Sequence, residues 1–233
     1  MALANQIPRL ERSVLSDQIS QIIIDGLLEG QFKPGDTLVE SELANMLGVS
    51  RSPIREAIQD LQKAGLVMKK PGRRAVVRRW TAKDLEELFS VRALLEGYAA
   101  RLAAAHSSES SRETLEQIVA DMRAAAAAED LALLVQLDLQ FHQELWRLSG
   151  NDMLRSVLSG LKQQFRLFHT MNWKFHGGAN QVADNHQLLI DAINSGDPQK
   201  AEELMGTHVV VGRMVNEHKE RSERQELLED RGA

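Results

Sequence analysis

Residues 130–148 are apolar nearly all round: Leu131, Leu133, Leu134, Val135, Leu137, Leu139, Phe141, Leu145, Trp146 and Leu148 leave little polar face. A helix of this composition is stable only when neighbours cover it on several sides, so it belongs inside a bundle. Apolar periodicity predicts those neighbours at 82–106, 111–128, 152–172, 179–195 and 198–222. Thr81 and Asp84 form a capping box that opens the first of them, and Asp197-Pro198 after Gly196 opens the last. The Ala124–Ala128 run marks a tightly packed stretch of helix. Residues 80–222 are therefore expected to form an antiparallel all-helical bundle of six to seven helices, followed by a charged tail at 223–233.

Residues 1–79 read differently. A helix over 12–29 carries Leu15, Ile19, Ile22, Ile23 and Leu27 and stops at Gly30. A turn-rich stretch, Phe32-Lys33-Pro34-Gly35-Asp36, leads to a short helix from Ser41 to Leu47 that ends at Gly48. Ser50 is expected to cap a third helix, which tolerates Pro53 in its first turn and buries Ile54, Ala57, Ile58 and Leu61. Two short helices separated by Gly48-Val49 have the sequence shape of a helix-turn-helix. Leu66-Val67-Met68 and Ala75-Val76-Val77 flank Lys70-Pro71-Gly72-Arg73-Arg74 and predict a hairpin wing. The whole chain is thus mainly α.

The net charge of −5 is an average over unlike halves. Residues 1–80 hold 12 Lys and Arg against 9 Asp and Glu, and the remainder carries a net charge of −8. Nine of those cations lie within 51–79 against only Glu56 and Asp60, enough to neutralise several phosphates of a duplex; a solvated charged face is the other reading. In a helix-turn-helix the start of the second helix meets base edges while nearby cations grip phosphates. Those residues are Ser50, Arg51, Ser52 and Arg55, with the two arginines opposite the apolar stripe. The competing expectation is that Arg51 and Arg55 pair with Glu56 or Asp60.

The absence of cysteine excludes disulfides, thiolate metal sites and thiol nucleophiles, and suits a reducing cytoplasm. No leader-like or membrane-spanning apolar run is present, so a cytoplasmic protein without membrane association is expected.

Two polar residues interrupt the apolar 130–148 helix. Asp138 and His142 share its face with Leu131, Val135 and Leu145, and an inward carboxylate is costly unless a cation meets it. His186 lies on a stripe with Val182, Leu189 and Ile193, and His208 on one with Leu204, Val211 and Val215. Each histidine alone reads as an ordinary core residue. Together, one carboxylate and three imidazoles on inward faces suit a divalent ion, zinc foremost with nickel or manganese as alternatives. Four protein ligands leave a six-coordinate ion two positions for a small organic acid. Arg92, on the Leu85 and Phe89 face, is placed to hold that acid's other end, with Asn151 and Arg166 as further candidates. A surface pair of Arg92 with Glu96 is the alternative.

The stretch ESELANMLGVSRSPIREAIQDLQKAGLV closely resembles the winged-helix motif of the GntR family of repressors. The resemblance implies that Arg51 and Arg55 read bases or adjacent phosphates, that Ser50 and Ser52 contact the backbone, and that Gly72 approaches the minor groove beside Arg73. Some members carry arginine where this chain has Ser41, and the phosphate contact that the resemblance would place there is not carried over. DLQFHQELWRLSGN is similar to the DxxFHxxL…SGN signature of the FCD ligand-binding domain, found in the FadR-like branch. DNHQLLIDAINSGDPQKAEELMGTH continues the likeness, with Asn185 in place of a more usual glutamate, and SVRALLEGYAARLAA resembles the stretch whose arginine faces the ligand cavity. In metal-containing members the residues matching Asp138, His142, His186 and His208 bind the ion.

The expected function is a homodimeric transcription regulator that binds double-stranded operator DNA and responds to a small carboxylate at a divalent metal. Two rivals remain: a metal-free regulator sensing a long acyl thioester, and a metal-dependent hydrolase. The latter lacks an H-E-x-x-H glutamate, a nucleophile motif and a phosphate-binding glycine loop.

Overall fold

A computed structural model of the chain describes residues 13–69, 74–106, 108–172 and 179–210, with the backbone alone at 13–14, 168–172 and 179–180. The chain divides into two compact units, Met1–Arg79 and Trp80–Ala233.

The first unit contains α1 (Ser13–Leu28), β1 (Thr37–Leu38), α2 (Glu40–Leu47), α3 (Arg51–Lys63), β2 (Val67–Met68) and β3 (Ala75–Val77). Its strands form an antiparallel sheet in the order β1-β3-β2, with Thr37 opposite Val76 and Val67 opposite Val77. Strand β1 is absent from the sequence-based expectation, because two residues display no periodicity and the pairing is supplied by β3 across the unit. Gly35 and Asp36 begin that pairing through Gly35 N to Val77 O (2.9 Å) and Val77 N to Asp36 O (2.8 Å). Gly35 has φ +97°, a conformation that L side chains rarely adopt, so the backbone requires glycine there, and the Arg79 guanidinium lies over it.

Ile19, Ile23, Ile24 and Leu27 of α1 pack with Ile54, Ala57, Ile58 and Leu61 of α3 into the core of this unit. Leu15 and Ile22, expected inside, are 41% and 50% exposed, and Ile24 takes the buried place. Gly48, at φ +66°, ends α2 in the left-handed conformation that turns the chain towards α3. Ser50 occupies the N-cap position of α3 in extended geometry, but its side chain makes no capping bond. The reason is local: the third residue of the helix, whose amide an N-cap serine usually accepts from, is Pro53, which has no N–H. The predicted wing tip, including Gly72 and Arg73, lies outside the described residues.

The second unit is all-helical among the described residues: α4 (Ala82–Ala105), α5 (Glu109–Ala127), α6 (Leu131–Leu148), α7 (Asp152–Asn172), α8 (Ala179–Asn194) and α9 (198–210). The Thr81–Asp84 capping box forms in both directions, Asp84 N to Thr81 Oγ1 at 3.1 Å and Thr81 N to Asp84 Oδ2 at 2.9 Å. Ala125 and Ala126 are buried where α5 packs on α6 and α8. Helix α6 buries Leu134, Val135, Leu137, Phe141, Leu145 and Trp146, while Leu131 and Leu133 in its first turn stay exposed. Phe141 and Leu145 join the core shared with α4, α5, α8 and α9; Trp146 packs with Leu154, Leu158 and Phe165 of α7. The expected extension of the last helix to 222 and the expected charged tail lie outside the described residues.

Candidate functional site

Helices α6, α8 and α9 bring Asp138, His142, His186 and His208 together, with one ligand-competent atom from each lying within 4.8 Å of all the others. The imidazole centroids are 5.6 Å apart for His142 and His186, 5.5 Å for His142 and His208, and 4.7 Å for His186 and His208. Asp138 and His142 come from successive turns of α6, as the i, i+4 spacing requires. His208 reaches the group because α9 approaches α4 closely. A Cβ on Gly97 would stand 3.1 Å from the Glu202 carbonyl oxygen, and Arg101 donates to Glu202 at 2.9 Å nearby.

The protonation pattern is set by geometry. His186 Nδ1 lies 2.8 Å from the Val182 carbonyl, which can only accept, so Nδ1 carries a hydrogen and, in the neutral ring, Nε2 keeps the lone pair. That Nε2 is buried, has no hydrogen-bond partner, and lies 3.3 Å from Oδ1 of Asp138. With the ring neutral, two acceptors would face each other at this distance in the interior, an arrangement that a proton or a bound cation between them relieves. A divalent ion fits the donor set of one carboxylate and three imidazoles. His208 retains some exposure as a residue, yet desolvation of its ring, then the neighbouring His186 and His142, push its pKa well below the usual histidine range. Its neutral form, the one that binds metals, is therefore favoured.

Glu96, on α4, was not foreseen as part of this group. It is fully buried, its Oε1 accepts from Arg92 Nε at 2.6 Å, and its Oε2 is in contact with Nδ1 of His142. Burial drives its pKa up, but the Arg92 guanidinium and then His142 outweigh that effect and hold the carboxyl at about 2. The Arg92–Glu96 pair expected as a surface alternative does form, but in the interior: Arg92 is 2% exposed. Its guanidinium lies 4.5 Å from the Phe165 ring centroid and 5.8 Å from that of Phe89. The sequence signal was a glutamate set in the otherwise apolar run Ala93-Leu94-Leu95-Glu96-Gly97.

The remaining effector candidates lie at the start of α7 and within it. Asn151 caps α7, accepting from Leu154 N at 3.0 Å, after Gly150 turns the chain at φ +66° and Ser149 Oγ donates to Trp146 O at 2.6 Å. The Ser149-Gly150-Asn151 run is thus a helix connector. Arg166 is half-buried on α7 beside Phe165.

On α3, Ser50, Arg51, Ser52 and Arg55 are all exposed. Among the described residues Arg51 makes no side-chain ion pair. Arg55 pairs with Glu40 of α2 at 3.2 Å, and neither Glu56 nor Asp60 is its partner; Ser52 donates to Glu56 and Lys63 to Asp60. Lys69 joins Glu40 at 2.8 Å.

A three-helix head with a small antiparallel sheet and an exposed cationic α3, followed in the chain by an all-helical domain, defines a winged-helix DNA-binding protein. The chain belongs to the GntR family of bacterial regulatory proteins, matched over residues 15–77, and carries an FCD domain over residues 87–210. It is 29% identical over 201 residues, 86% of this chain and 88% of the other, to a Paenarthrobacter nicotinovorans protein described as "Probable D-xylose utilization operon transcriptional repressor". It is 26% identical to the transcriptional repressor RspR of Escherichia coli K12, covering 84% of this chain and 86% of RspR. A solved GntR regulator from Rhodococcus sp. RHA1 superimposes with a TM-score of 0.69 at 25% identity, over 86% of this chain and 96% of that one. The chain is a transcription regulator, as its family and relatives are, and not an enzyme.

Proposed function

We propose that this regulator is a metal-containing repressor whose operator affinity is set by a small organic acid bound at the metal in the FCD domain. The observation that carries the reading is the quartet itself, whose ligand atoms lie within 4.8 Å of one another, with His186 Nε2 3.3 Å from Asp138 Oδ1. Asp138, His142, His186 and His208 would hold the ion, zinc before nickel or manganese given three nitrogen donors and one oxygen. The ion, when bound, supplies a Lewis-acidic anchor for a carboxylate. Arg92 is the candidate for the effector's distal end, since a planar guanidinium matches a carboxylate in a two-pronged contact. Asn151 and Arg166 remain lesser candidates. The same quartet argues against a metal-free acyl-thioester sensor, which has no use for four inward polar side chains.

At the operator, Arg51 and Arg55 read base edges, Ser50 and Ser52 meet the backbone, and Gly72 with Arg73 serves the minor groove. GntR regulators typically act as dimers, and a homodimer would read two half-sites of a near-palindrome. Effector binding shifts operator affinity by a coupling of about 1–3 kcal/mol. A cytoplasmic location accords with this role, and no described helix is long and apolar enough to cross a membrane.

The test begins with metal analysis of tag-free protein purified without chelator; less than about 0.2 ion per chain would favour the metal-free sensor. Short hydroxy, keto and dicarboxylic acids are then screened by thermal shift, where a ligand at 100 times its Kd adds about 2.7 kcal/mol. Silence across the metal-loaded panel would remove the organic-acid reading.

A further inference from the structure

We infer that Glu96 is the positioning residue of the metal centre, presenting His142 to the ion while Arg92 anchors it. The inference rests on the metal reading above. A neutral imidazole carries one N–H and one lone pair, so whichever nitrogen donates to an outside acceptor leaves the other for a metal. For His186 the outside acceptor is the Val182 carbonyl of its own helix. For His142, Oε2 of Glu96 from a different helix is in contact with Nδ1 and is the acceptor at hand. The carboxylate keeps the hydrogen on Nδ1 and leaves Nε2 for Asp138, His186 and His208.

A carboxylate does more than a carbonyl in this position, because its negative charge raises the basicity of the imidazole as a ligand. That charge is fully buried, and such a group is stable only with a matched cation. Arg92 Nε provides it at 2.6 Å, and Arg92 is itself packed against Phe165 at 4.5 Å. Phe165, Arg92, Glu96 and His142 therefore form one chain of contacts across α7, α4 and α6 that ends on a ligand. A purely structural ion pair would satisfy Arg92 and Glu96 alone and would leave the His142 ring indifferent to Glu96.

The test uses full-length protein stripped of metal by a chelator and titrated with Zn²⁺ by calorimetry and with Co²⁺ by its visible spectrum. Wild-type protein binds both ions, and Glu96→Gln binds Zn²⁺ about 10- to 100-fold more weakly with an altered Co²⁺ spectrum. Histidine-labelled metal-free protein shows His142 protonated on Nδ1 in ¹⁵N spectra, and Glu96→Gln loses that preference. Since an unpaired Arg92 can by itself unfold the domain, Arg92→Met combined with Glu96→Leu removes both charges at similar volume; it shows the same loss of affinity. If either folded variant binds Zn²⁺ as wild type does and keeps the Co²⁺ spectrum, the inference fails while the metal reading stands. If wild type binds neither ion, both fail.

Discussion

Arg55 of α3 donates from Nε and Nη2 to a single carboxylate oxygen of Glu40 on α2, at 3.3 and 3.2 Å. The other oxygen of Glu40 takes Lys69, whose hydrogen bond is the largest influence lowering the Glu40 pKa. Glu40 thus holds Arg55 in one orientation before any DNA arrives. Exposed pairs of this kind contribute about 0.2–1 kcal/mol, so Glu40→Gln is expected to lower operator discrimination by about 1.4- to fivefold. Binding to random duplex should rise at low salt, because a repelling charge is gone. Fluorescence anisotropy on operator and scrambled DNA measures both, and an unchanged ratio would mean that Glu40 does not guide Arg55.

Arg51 makes no side-chain ion pair among the described residues and is exposed at the start of α3. Arg51→Ala and Arg55→Ala are each expected to reduce operator discrimination by about 1–3 kcal/mol, with Zn²⁺ affinity unaltered. Gel shifts beside calorimetry separate the two halves. Operator preference that survives both substitutions would exclude α3 as the reading helix.

His208→Ala should do the reverse. Removing a ligand is expected to weaken Zn²⁺ binding by more than the roughly 10- to 100-fold typical of losing an outer partner. The thermal stabilisation by Zn²⁺ disappears, while affinity for operator in the absence of effector is retained. Full Zn²⁺ affinity in this variant would remove α9 from the site.

Metal-free protein is expected to lose stability as pH falls from 7 to 4. His208 has a lowered pKa in the fold, so below about 6.5 the unfolded chain takes up a proton that the folded one resists. Glu96, held at about 2, adds a second loss as pH falls through the ordinary carboxylate range near 4.5. In both cases the unfolded state binds more protons, so stability rises with pH. Thermal melts across this range check the sign, and a melting temperature that climbs on acidification would contradict it.

Gly97→Val tests how His208 is delivered. The added side chain meets the Glu202 carbonyl, which a Cβ alone approaches to 3.1 Å, and α9 must move away. Overpacking of this kind costs about 1–3 kcal/mol. Zn²⁺ affinity is expected to fall with it, although Gly97 carries no side chain to bind an ion. Crystallography or Co²⁺ spectra of the variant would show whether the quartet has opened.

The elements legible in advance were those whose signal lies within a turn or two of chain. The stripe Ile54, Ala57, Ile58 and Leu61 marked α3, and the Thr81–Asp84 box marked the start of α4. Asp138 and His142 stood out because a carboxylate and an imidazole broke an apolar helix at i, i+4. Helical periodicity did not distinguish Ile24 from Ile22 in α1, since both border the apolar stripe and only contact with α3 selects one.

The sequence by itself determined the helices, the turn at Gly48, the basic α3 and the inward faces of Asp138, His142, His186 and His208, because spacing along a helix fixes direction. Tertiary structure alone decided which faces meet. It paired Arg55 with Glu40 fifteen residues away, added β1 to β3, and turned the Arg92–Glu96 pair from a surface contact into a buried one touching His142. Partner choice depends on how close two backbones approach, as at Gly97 and Glu202, and periodicity within one helix carries no information about that distance.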